Sequence, residues 1–165
     1  MNGNSKRWAA TGIVAMSAVV VMLADLSVAE RASAHSEHAY AAGEPGDPKK
    51  PFRIIEVEMR EGAGTMSYMP DRIEVKKGEQ IKFVLKNAGA LDHEFLLDSV
   101  EHNAKHKIVM QKNPEMEHDE PNGKRLQPKA GAQILWKFTK RGTFEFACLI
   151  PGHYEAGMHG TVLVK

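Results

Sequence analysis

Cys148 is the only cysteine of the chain, and His153 and Met158 follow it at equal intervals in FEFACLIPGHYEAGMHG. The spacing C-x4-H-x4-M sits between two strand-like runs, with Pro151-Gly152 setting a turn, so one loop folds three side chains toward one point. Thiolate, imidazole and thioether are soft and borderline donors that suit copper in both oxidation states. Such a site needs a second imidazole. His93, beyond the run Gln80–Leu85 and the Asn87-Ala88-Gly89 turn, is the candidate. Two His, one Cys and a weak axial Met make an electron-transfer copper site, so His93, Cys148, His153 and Met158 are the expected metal ligands, holding one copper ion. The plainer role of a free cysteine is that of a small buried hydrophobe. Its company favours the metal.

Cysteine count removes several competitors. A structural zinc site calls for several Cys/His pairs at short spacing, and a copper pair bridged by two thiolates calls for two cysteines. A trinuclear oxidase cluster takes histidines on both sides of the cysteine, where this chain has Ala147 and Leu149. A Cys/His nucleophilic pair would leave His93 and Met158 without a role. No enzymatic activity is expected.

The amino terminus reads as an export signal. MNGNSKRW carries Lys6 and Arg7, AATGIVAMSAVVVML is apolar and uncharged, and Ala32-Ser33-Ala34 supplies a small-x-small exit before His35. An uncleaved anchor is the competing reading, but Asp25 inside the apolar window and the ASA exit oppose it. Lys6-Arg7 is not a twin arginine, which favours the general secretory route. The expectation is cleavage after Ala34, a periplasmic product and no stable membrane insertion afterwards. In that compartment an unpaired thiol oxidises or cross-links, whereas bound copper would occupy it.

Over the whole chain 22 Lys/Arg face 21 Asp/Glu, for a formal net charge of +1. There is no basic run, so nucleic acid finds no electrostatic footing.

The elements that must position the four candidates come next. Residues 35–51, HSEHAYAAGEPGDPKKP, are polar and aperiodic and predict a flexible lead. Residues 52–165 predict one domain. FRIIEVEM, a short MSYM, Ile73–Val75, Gln80–Leu85, DHEFLLDS, GAQILWKF and the segment from His159 onward read as strands, with turns at Pro70, Lys77-Gly78 and Arg141-Gly142. Residues 99–119 differ: the pattern is helix-compatible as far as Gln111 and breaks at Pro114. Short strands at regular spacing indicate an antiparallel sandwich or barrel carrying a short helical insertion.

From Phe52 to Lys165 the sequence resembles the cupredoxins, the small type 1 copper proteins. The resemblance rests on MPDRIEVKKGEQIKFVLKNAG, the DHEF around His93, GTFEFACLIPGH and AGMHGTVLV. It implies an all-β, Greek-key β-sandwich, with His93 on one loop and Cys148, His153 and Met158 on the loop before the last strand. The ligand loop matches a longer, rusticyanin-like spacing. Within the family, DHEF, MEHDEPN and CLIPGHYEAGM look most like bacterial periplasmic copper-tolerance cupredoxins. One position departs from the pattern. Several cupredoxins place a loop-bracing asparagine after the first histidine, and here that residue is Glu94. A carboxylate so near the sulfur would alter its hydrogen bonding, and with it the potential and colour.

Other residues have a functional and a plain reading. His35 and His38 would flank the new amino terminus as a Cu(II) chelate, or belong to a mobile polar tail. His102 and His106 share a face at i, i+4, with Met110, Met116 and His118 near. The plain reading is a solvated helix with Met110 packed inward; the other is a second, more labile copper site. Met66 and Met69 read as sandwich or near-site surface residues, and His159 as exposed. The expected function is electron transfer, copper tolerance, or both. The alternative is copper buffering through accessory Met/His sites. The expected partner is a transient one, a cytochrome or a copper-handling protein, met by a monomer whose His153 is the electron edge, framed by Leu149, Ile150 and Pro151.

Overall fold

The computed structural model describes residues 40–165. The expected signal peptide, His35 and His38 lie outside the described residues. Ten strands and one helix follow in the order β1 (Gly43–Pro45), β2 (Arg53–Glu61), β3 (Met66–Met69), β4 (Arg72–Val75), β5 (Gln80–Asn87), β6 (His93–Asp98), α1 (Val100–Lys112), β7 (Gly123–Leu126), β8 (Gly131–Phe138), β9 (Gly142–Ala147) and β10 (His159–Val164). No helix among the described residues is long and apolar enough to cross a membrane.

The strands form two five-stranded sheets, ordered β1-β8-β5-β2-β3 and β4-β10-β9-β6-β7. Each contains one parallel pair, β2 with β5 and β4 with β10, so the antiparallel expectation holds for the remaining pairs only. Alternation in β5 and β8 turns Ile81, Phe83, Leu85, Ile134, Trp136 and Phe138 inward. They meet Phe95, Leu97, Phe146 and Val162 of the other sheet in one buried cluster. The ring of Phe83 lies 5.2 Å from that of Phe95, which stacks on Phe146 at 5.1 Å. The result is a β-sandwich.

The lead segment is not loose from Tyr40 onward. Ala42 is fully buried, β1 pairs with β8, and the Tyr40 ring meets Trp136 edge-on at 5.2 Å. Gly43 permits this contact. Its φ is +149°, and a Cβ there would stand 2.0 Å from the Lys137 carbonyl oxygen.

Strand β6 is buried at His93 through Leu97 without alternation. Two covers explain it. Phe95 and Leu97 face the sandwich core, whereas Leu96 packs with Met110, Ala147 and Leu149 in a second cluster beneath α1. A strand covered on both faces loses the polar alternation of a half-exposed one. The helix itself is held by few apolar contacts: among its residues only Asn103 and Met110 are buried. Ser99 caps it by accepting from the His102 N–H at 3.1 Å, and Asn103 Nδ2 donates to Glu145 Oε2 at 3.0 Å. The insertion therefore roofs the outer face of β6 and β9 and leaves the sandwich core to the sheets.

Candidate metal centre

His93 opens β6, Cys148 follows β9, and the turn-rich segment from Ile150 to Met158 leads into β10. The two strands pair, which brings the start of one beside the end of the other. His93 Nδ1 lies 3.3 Å from His153 Nδ1, and Cys148 Sγ lies 3.3 Å from the same atom. Donor atoms of His93, Cys148 and His153 all fall within 4.8 Å of one another. Donors around a shared tetrahedral ion, roughly 2.0–2.3 Å from it, stand roughly 3.3–3.7 Å apart. The spacing therefore fits one metal ion.

Local hydrogen bonds close the loop. The Met158 N–H donates to the His153 carbonyl and the Cys148 N–H to the Met158 carbonyl, each at 3.1 Å. Gly152, at φ +89°, supplies the left-handed turn that starts this return. Met158 is fully buried, with its backbone thus tied to both Cys148 and His153. On the other side, Asn87 fixes the approach to His93. Its Nδ2 donates to the carbonyls of Leu91 and Leu126 at 2.8 and 3.0 Å, and its Oδ1 accepts from the Gly89 N–H at 2.9 Å.

Glu61 orients His93. Its Oε1 lies 2.9 Å from His93 Nε2 and also accepts from the N–H groups of Ala90 and Leu91. An ionised carboxylate only accepts, so the imidazole proton sits on Nε2 and the Nδ1 lone pair faces the site. These backbone donors, that of Leu91 foremost, hold the Glu61 carboxyl below the usual range against partial burial. Burial pushes both site imidazoles toward the neutral form that ligates metal, and the nearby His93 adds to this for His153.

Cys148 is fully buried. Burial, reinforced by the Glu94 carboxylate, pushes its thiol up to about 12. A bare thiolate is thus strongly disfavoured here, and a cation must stabilise the ionised sulfur. One donor already points at it: the Glu94 N–H lies 3.3 Å from Cys148 Sγ. The Glu94 side chain is the brace expected of an asparagine, since its Oε2 accepts from the Leu149 N–H at 3.2 Å. Tyr68 donates its hydroxyl to the Glu94 carbonyl.

One expectation for this region changes. Leu149 does not frame the surface around His153; it is fully buried beneath α1 with Met110 and Ala147. Of the three converging donors only His153 reaches solvent, at 9 % exposure. His159 is exposed and stacks on Tyr154 at 4.7 Å, away from the donor set. Met66 is partly buried against the core and Met69 is exposed. Glu61 and Tyr68 carry no local sequence signal, because each meets its partner from a distant strand; Asn87 was legible only as part of a turn, and its bond to the Leu126 carbonyl was not.

A two-sheet sandwich with one buried cysteine and two histidines converging at one end defines a copper-binding cupredoxin. Residues 55–165 match the model of the copper binding proteins of the plastocyanin/azurin family, and the chain belongs to that family. It is 43 % identical over 141 residues to a copper-resistant cuproprotein, CopI, of Rubrivivax gelatinosus, covering 82 % of this chain and 84 % of that protein. It is 36 % identical to the CopI of Pseudomonas aeruginosa, covering 81 % and 88 %. The fold is also that of an auracyanin from Roseiflexus castenholzii, with a TM-score of 0.59 at 23 % identity over 70 % of this chain and 99 % of the other.

Proposed function

We propose that this chain is an exported, non-enzymatic copper-tolerance cupredoxin whose His93, Cys148, His153 and Met158 hold one type 1 copper ion. The convergence of three buried donors within 4.8 Å carries the reading. The copper-resistance relatives support tolerance as the setting. Bound copper supplies one-electron chemistry between its +1 and +2 states. The protein's part is to keep the donors fixed. Glu61 holds the His93 ring, Glu94 holds the sulfur and the Leu149 backbone, and the His153–Met158–Cys148 backbone bonds hold the loop. A set so restrained changes little between oxidation states, which favours rapid electron exchange.

Met158, buried and with its backbone anchored between two of the other candidates, would supply the fourth, thioether donor. His153, the one partly exposed donor, is the proposed electron edge, and Ile150 and Pro151 beside it form the surface for a transient partner. Ala147 and Leu149 flank the cysteine with apolar, buried side chains that give a second catalytic copper nothing to bind, which supports a carrier over an oxidase. The apolar amino-terminal run and the ASA exit support export to the periplasm.

Absorption spectroscopy of the copper-loaded protein tests the site. Intense thiolate-to-copper bands in the visible, abolished in Cys148→Ala, are expected. A colourless Cu(II) protein would overturn it. Loss of copper tolerance in a deletion strain, restored by the wild-type chain and not by Cys148→Ala, tests the setting.

A further inference from the structure

A second set of metal donors meets on the outer face of β6, under α1. His118 Nε2 is its hub. It lies 3.2 Å from His106 Nε2, 3.4 Å from Met110 Sδ and 3.9 Å from Glu94 Oε1. The first two separations are those of imidazole and thioether donors around one shared tetrahedral ion, roughly 3.3–3.5 Å.

The hydrogen bonds of the protein leave this cluster incompletely partnered. Glu120 Oε2 lies 3.1 Å from His118 Nδ1, so that nitrogen carries a proton and Nε2 is the ring atom turned to the cluster. Nε2 faces a thioether sulfur with no proton to give. It also faces Glu94 Oε1, which is buried and has no hydrogen-bond partner. Buried polar atoms without partners call for an explanation, and a role as a metal ligand is one. A carboxylate on the far nitrogen of a ligating histidine is also the usual outer support of such a ligand. Glu120 gives His118 the support that Glu61 gives His93.

Local structure explains the meeting. His106 and Met110 are one turn apart on α1, and His118 comes from the segment between α1 and β7. Glu94 shares the outer face of β6 with Leu96, so its side chain lies under the helix while that of His93 lies in the sandwich. An open cleft lined by Leu96, His102, His106, Val109, His118 and Glu120 gives access from solvent. His102 does not join the set, because its Nδ1 pairs with Asp98 at 3.0 Å.

We propose that His106, Met110 and His118, with Glu94, form a second copper site, which takes Cu(I). Two neutral imidazoles and a thioether are a soft, three-donor set for that ion. The site shares no donor with the first centre, so it stands or falls separately. It is also its direct neighbour, since Glu94 gives its N–H to Cys148 and its free oxygen to this cluster.

The test removes the thiolate of the first centre, and whatever His93, His153 and Met158 still bind is common to the two proteins compared. Cys148→Ala protein is titrated anaerobically with Cu(I) against a chromophoric Cu(I) chelator, beside the same protein carrying His106→Gln and Met110→Leu. The pair is expected to differ by one Cu(I) equivalent, or by at least a hundredfold in its affinity. Any amino-terminal copper binding is common to both and cancels. Equal stoichiometry and affinity would overturn the site. Should the double substitution unfold the protein, copper-edge X-ray absorption decides on singly loaded protein carrying Cys148→Ala, His93→Gln and His153→Gln, which leaves the first centre no imidazole. Two nitrogens near about 2.0 Å and one sulfur near about 2.3 Å are expected; a shell without sulfur overturns the proposal. Absence of visible bands in the wild type would refute the first centre alone.

Discussion

The Glu94 N–H lies 3.3 Å from Cys148 Sγ while the same residue's Oε2 holds the Leu149 N–H at 3.2 Å, so one residue braces both the sulfur and the backbone after it. Asparagine at that position would brace the loop without charge. Glu94→Gln keeps the shape and both hydrogen bonds and removes a negative charge that favours Cu(II). The variant is expected to keep its copper and visible bands. Its reduction potential should rise by about 60 mV, a tenfold shift for one electron at about 59 mV per decade. Voltammetry measures it. An unchanged potential would show that Glu94 carries no charge in the loaded protein.

Glu61 acts through His93. It fixes the ring nitrogen that faces away from the site, and two loop N–H groups fix Glu61 in turn. Removing a partner of this kind costs about 10–100-fold in metal affinity. Glu61→Ala should therefore weaken copper binding by about that factor in a chelator competition, with Glu61→Gln retaining more. Wild-type affinity in Glu61→Ala would mean that Asn87 and the strand alone hold the ring.

The sequence pointed to the four candidate donors because their information is local and chemical. Cys148, His153 and Met158 belong to one loop, and soft donors are scarce enough for their spacing to stand out. His93 could be placed because a turn and a strand bracket it. The long alternating strands were legible for the same reason: Ile81, Phe83 and Leu85 declare a face at period two. β1 and β7 were not. Gly43–Pro45 is three residues long, and Gly123–Leu126 has no alternating apolar pattern; each is defined by its partner strand. The parallel pairs were hidden too, since nothing in a strand names its neighbour. α1 was legible from its helix-compatible run to Gln111 and its Pro114 break, but its burial of Leu149 and Glu94 was not, because its pattern is barely amphipathic. Glu61, Tyr68 and Glu120 reach their partners through tertiary packing that no spacing encodes.

Gly43 tests the claim that the segment before β2 belongs to the fold. A Cβ at this position would meet the Lys137 carbonyl at 2.0 Å, and that backbone is fixed in the β8 pairing. Gly43→Ala should destabilise the protein by about 1–3 kcal/mol through overpacking. Thermal unfolding of the copper-free protein reads the effect, and amide exchange should rise at Lys137. An unchanged melting temperature would place β1 outside the cooperative unit.

The pH dependence of the copper-free protein follows from the same burial. His93, His106 and His153 all have lowered proton affinity, chiefly because burial disfavours the imidazolium. In the unfolded chain they charge near about 6.5, so as pH falls below that value the unfolded state takes up protons first and folding weakens. The loss continues until the folded histidines titrate in turn. Glu94, raised by burial, opposes this, since its folded form accepts a proton before the unfolded form does. One group stands against three, so acid destabilises. On the alkaline side the Cys148 thiol, pushed up from 9.0 to about 12, keeps its proton while the unfolded thiol loses it, and stability falls above pH 9.0. The melting temperature of the copper-free protein should therefore be highest between about pH 6.5 and 9 and decline on both sides. His106→Gln should flatten the acid limb, and Cys148→Ala the alkaline one. A melting temperature constant from pH 7.5 down to 5.5, each value a chosen point about one unit from 6.5, would show that these imidazoles titrate as freely in the folded protein as in the unfolded chain.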